Sequence, residues 1–152
     1  MIISFYLFFC WFLFGILFTL TKRLPKQHLS FVFLFVDFVN TSISYLLSDP
    51  FDFYMMAKEA SRYISFSLYQ SIIIPALLTL IINIFIRSHP LHKPVVFLIS
   101  ICLFLSLDFI ARYLNLFTYT GLWHLLALLG YRLILMLLTI FALKGFGRMC
   151  YK

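Results

Sequence analysis

Four ionisable residues, Asp37, Asp108, Arg112 and Arg132, sit in stretches of the sequence that are otherwise almost wholly apolar. A charge at the centre of a bilayer costs at least about 2.5 to 3.5 kcal/mol on insertion scales, so residues of this kind turn inward and pair. Their chemistry takes one of two forms. A carboxylate fixed to an arginine is a structural ion pair, whereas a carboxylate free to titrate can relay protons or hold a cation.

Amides and hydroxyls extend the pattern. Asp37, Asn40, Thr41 and Ser44 fall at i, i+3, i+4 and i+7, one continuous polar stripe on a helix. Further along are Ser71, Thr79 and Asn83, then Ser100, Asp108 and Arg112, with Asn115 beyond them. Asp37 and Arg132 each fall within about 1 to 2 Å of the middle of their apolar runs at 1.5 Å per residue, which predicts that they pair across the bundle. Asp108 and Arg112 are four apart on one face and are expected to pair locally. His124 follows Trp123 where an interfacial aromatic belt is expected, so anchoring is its simplest role.

These residues must be positioned by long apolar helices. The chain has 152 residues, 64% hydrophobic and 11% charged, with 20 phenylalanines. Crossing a hydrocarbon core of about 30 Å takes about 20 apolar residues in a helix. Five runs meet that length: residues 2–20, 29–47, 67–86, 95–114 and 122–143. They are continuously apolar, where an outer-membrane strand would alternate over about ten residues. The expected fold is all-α: a single domain over residues 1–152, a polytopic five-helix transmembrane bundle. The first run lacks a positive n-region and an A-x-A-like cleavage site, so it is expected to be a retained span rather than a secretory signal.

Of the twelve Lys and Arg, eight fall in the segments after spans one, three and five: Lys22, Arg23, Lys26, Arg87, Lys93, Lys144, Arg148 and Lys152. Cytoplasmic loops hold the excess of such residues, which predicts an outside N-terminus and a cytoplasmic C-terminus. The net charge of +7 is therefore a topology signal that meets anionic lipid, and no nucleic-acid partner is implied.

Two features concern the connections. In SDPFD, Asp49 can cap a helix whose first position takes Pro50 and whose first turn takes Asp52; a short interfacial helix is expected near residues 50–62, with Phe51, Tyr54 and Met55 apolar and Lys58, Glu59 and Arg62 charged. Pro75 interrupts span three, so its missing N–H should kink that helix and free a carbonyl.

Familiar catalytic and ligand arrangements are absent from the sequence. It has no G-x-S-x-G, H-E-x-x-H, G-x-x-x-x-G-K or G-x-G-x-x-G element. Cys10, Cys102 and Cys150 are scattered, and His89 and His92 lie between Pro90 and Pro94 with no acidic or thiolate companion. No metal, cofactor or enzymatic activity is expected.

The segment RYLNLFTYTGLWHLLALLGYRLILMLL, residues 112–138, resembles the closing hairpin of an uncharacterised family of small multi-pass membrane proteins from spore-forming Gram-positive bacteria. Tyr113, Phe117, Tyr119, Gly121 and Trp123 carry the likeness, with Pro75 as an echo; His124 stands where that family would have a small amide side chain. The resemblance implies five spans and a bacterial plasma membrane, and no mechanism. Two functions remain to be separated: a non-enzymatic accessory protein that binds another membrane protein or itself, and a small transporter or ion-conducting oligomer in which Asp37, Arg132, Asp108 and Arg112 line a path.

Overall fold

The computed structural model describes residues 2–20, 26–48, 55–56, 59–118 and 122–150. Its elements are α1 (Ile2–Leu20), α2 (Lys26–Ser48), β1 (Met55–Met56), α3 (Ala60–Leu68), a π-helical turn (Tyr69–Ile73), α4 (Ile74–Arg87), a 3₁₀ turn (Pro90–His92), α5 (Lys93–Tyr113), β2 (Phe117–Thr118) and α6 (Leu122–Cys150). α3, the π turn and α4 run on as one apolar helix, so five helices are long and apolar enough to cross a membrane.

That third helix is the axis of the bundle. Its apolar stretch is 72% buried, against 22 to 28% for the other four, and α4 packs against α1, α2, α5 and α6. Each outer helix buries one stripe: Tyr6, Cys10, Leu13 and Leu17 on α1, or Ser100, Phe104, Asp108 and Ala111 on α5. The opposite faces are equally apolar, with Trp11, Phe18, Phe38, Phe109 and Phe141 exposed. Lipid tails are as apolar as a protein core, so the inner face of such a helix is marked by small and polar residues rather than by greasiness.

The third helix begins earlier than its apolar run. Residues 60–62, expected to close an interfacial helix, are instead its first turn, and Met55–Met56 are extended. Physically, Glu59 accepts backbone N–H bonds from Arg62 and Tyr63 at 3.0 and 2.9 Å and pairs with Arg62 at 3.0 Å, which starts the helix there. The remainder of that expected helix, with Asp49, Pro50 and Asp52, lies outside the described residues.

Met55 and Met56 pair antiparallel with Thr118 and Phe117. This joins the α2–α3 connection to the α5–α6 connection, so both lie at one end of the bundle, as alternating spans require. The α5 end is built for the purpose. Asn115 adopts a left-handed φ of 52°, and the N–H groups of Asn115 and Leu116 donate to the carbonyls of Arg112 and Ala111 at 2.9 and 3.1 Å. That is a Schellman closure, for which Asn is one of the few suited side chains. It drops Leu116 and Phe117, both at most 2% exposed, into the core beside Phe66 and Tyr69.

Pro75 does act on its helix, through the turn before it. The Ile74 N–H donates to Tyr69 five residues back. In that register the next donor would be residue 75, which has none, so the Gln70 carbonyl is released.

Candidate functional site: a buried phenol, carboxylate and guanidinium

Arg132 does not reach Asp37. Its Nη2 lies 2.8 Å from Asp108 Oδ1, with both side chains 1% exposed. The Tyr69 hydroxyl completes the cluster, donating to Asp108 Oδ1 at 2.6 Å and accepting from Arg132 Nη2 at 3.0 Å. The rings of Tyr69 and Phe104 each stand 5.5 Å from the guanidinium carbon, close enough for cation–π attraction. Tyr6 meets Tyr69 edge-on at 6.2 Å and Phe117 lies against it at 6.5 Å. The cluster thus draws on α1, the π turn, α5, β2 and α6.

Both expected pairings are corrected by this geometry, and helix direction explains why. Side chains on a helix lean toward its N-terminus. Arg132 stands ten residues after the start of the 29-residue α6, so its long side chain leans toward the α5–α6 connection. Asp108 lies five residues before the end of α5, on that same side. Asp37, eleven residues from either end of α2, is deeper. Because Asp108 is taken by Arg132, no ion pair joins it to Arg112, which is exposed on the last turn of α5.

A second polar layer lies beside the first. Asn40, fully buried, donates from Nδ2 to the Gln70 carbonyl at 2.7 Å and to Gln70 Oε1 at 2.9 Å. The Tyr131 hydroxyl donates to Asn40 Oδ1 at 3.2 Å. The backbone acceptor that Pro75 leaves without a partner is therefore satisfied from α2. Two pairs of consecutive residues, Tyr69–Gln70 and Tyr131–Arg132, serve the two layers.

The other sequence candidates divide. Ser71 meets Thr41 hydroxyl to hydroxyl at 3.4 Å. Thr79 and Ser100 instead bond back to Pro75 and Val96 on their own helices, a common resort for hydroxyls in apolar helices. Asn83 is buried on α4, and its Oδ1 has no hydrogen bond among the described residues. His124 is half-buried beside the exposed Trp123 at the start of α6. Asp37 is half-buried, and among the described residues its one hydrogen bond comes from Thr41 Oγ1 at 3.2 Å.

Tyr69, Gln70 and Tyr131 escape a reading that looks for charges. Gln70 alone carried a usable signal, being an amide five residues before a proline inside an apolar helix. Among the described residues no three His, Cys, Asp or Glu lie close enough to hold a metal ion.

Chemically the cluster is a clamp. Arginine stays protonated and touches the carboxylate directly, and the phenol bridges the same two atoms, so each hydrogen bond polarises the next. Comparison with protein-family models, curated proteins and solved structures finds no match.

Proposed function

We propose that this chain is a non-enzymatic accessory protein of the bacterial plasma membrane, N-terminus outside and C-terminus cytoplasmic, that binds another membrane protein. The observation that carries this reading is the enclosure of Asp108 and Arg132. Charges lining an ion path face water, whereas these two are 1% exposed and flanked by aromatic rings. They serve as a frame that fixes helix neighbours. The reading also agrees with the basic residues near span ends and with the resemblance of residues 112–138.

Affinity capture of the full chain from native membranes is the test, with enrichment of one integral membrane protein as the expected result. The competing reading, a small ion-conducting oligomer, is favoured by Asp108 Oδ2, Arg132 Nε and Arg132 Nη1, which are buried with no hydrogen-bond partner among the described residues. Ion flux in proteoliposomes that disappears with Asp108→Asn, in protein shown to remain folded, would replace the accessory reading.

A further inference from the structure

α1 and α2 both pack against the third helix, and a groove of about 620 Å³ lies between them. Phe14 and Phe18 form one wall; Ser30, Phe33 and Leu34 form the other. On α2 that wall continues by helical spacing, because Asp37 is seven, four and three residues beyond Ser30, Phe33 and Leu34. Thr41 follows one turn later, bonded to both Asp37 and Ser71. An apolar wall thus runs into a half-buried carboxylate at the midpoint of α2. Among the described residues no cation lies within ion-pair distance of it.

We propose that this flank of α2 is the docking surface for a transmembrane helix of another protein that presents a Lys or Arg at the depth of Asp37. Charge and depth select the occupant. An acyl chain fills an apolar groove but offers a mid-membrane carboxylate nothing, and lipid head groups lie near the ends of α2, eleven residues away. A second copy is poorly suited, since Arg132 is already committed to Asp108 and Arg112 is on the last turn of α5. A passing helix with one basic side chain supplies the missing charge and covers Phe33 and Leu34 together.

The inference rests on the accessory reading and names where its partner sits. The test uses the full chain in lipid vesicles with labelled leucine-rich transmembrane peptides carrying Lys, Gln or Leu at the centre, association being read by energy transfer. Lys peptide is expected to associate at least about tenfold more tightly than Leu peptide, with Asp37→Asn abolishing the preference. Asp37→Lys should transfer it to an Asp-centred peptide. Glu59→Gln, which removes an exposed carboxylate at the start of α3, should leave it unchanged. Equal association of all peptides, or a Lys preference that survives Asp37→Asn, overturns the proposal. So does self-association of the chain that Asp37→Asn removes, which would give the surface to a second copy. A native partner captured equally by wild type and Asp37→Asn protein sinks this surface alone; capture of no partner sinks the accessory reading.

Discussion

Asp108 and Asp37 are carboxylates of two outer helices, each set in an apolar stretch, yet among the described residues only Asp108 meets an opposite charge. Asp108 is 1% exposed and bonded to Arg132 and to Tyr69, whose own ring packs against Tyr6 and Phe117. Asp37 is half-open and holds the Thr41 hydroxyl. The difference separates two uses of intramembrane polarity. A charge satisfied internally fixes the arrangement of helices, and one left on a flank becomes a request to something outside.

Removing the internal answer should have the largest effect. Asp108→Asn strands a buried guanidinium, and unfolding in detergent mixtures is expected to show a loss of about 3 to 5 kcal/mol. Adding Arg132→Gln should recover much of it, because neither charge then lacks its partner. An Asp108→Asn protein as stable as wild type would erase the distinction between the two carboxylates.

Tyr69→Phe keeps the ring packing and deletes the hydroxyl that bridges carboxylate and guanidinium. Hydrogen bonds to charged groups contribute about 1.5 to 3 kcal/mol, so an intermediate loss in the same unfolding assay is expected. Asn40→Leu, in the adjacent layer, leaves the Gln70 carbonyl bare. An effect of about 1 to 2 kcal/mol is expected. Pro75→Ala sharpens that case by returning a backbone N–H to the register: the double variant should lose less than the two single losses added together.

The smallest change is expected at Asp37. Asp37→Asn removes a charge but keeps an acceptor for Thr41, so the stability of the isolated chain should move by less than about 1 kcal/mol, in keeping with single interhelical hydrogen bonds in bilayers. A loss as large as that of Asp108→Asn would mean that Asp37 too is answered from within.

Much of this architecture was legible in the sequence, and the failures share a cause. Five spans follow from the length of apolar runs, which the hydrocarbon thickness dictates. The inward stripe of α2 was legible in Asn40 and Ser44, both buried, because helical spacing groups them. Pairing was misjudged because depth was counted from the ends of apolar runs, while α6 continues to Cys150 and Arg132 leans toward its own N-terminus. Tyr69 was missed because a tyrosine in an aromatic-rich helix looks like packing until a carboxylate is found within reach. The freed carbonyl was foreseeable from Pro75; that Asn40 would take it needed the neighbouring helix in place.

The π turn holds one residue more than an α-turn would use, and that surplus sets the phase between the two halves of the central helix. Deleting Ile72 would let the segment wind as α-helix with the phase of its two halves nearly kept, whereas the same residues wound as α-helix without a deletion would swing everything before the turn by roughly a quarter turn relative to everything after. Tyr69 and Gln70 would then face the wrong neighbours while every apolar residue still found an apolar one. The specificity of this bundle is thus stored as an angular offset, and hydrophobicity alone would not detect its loss.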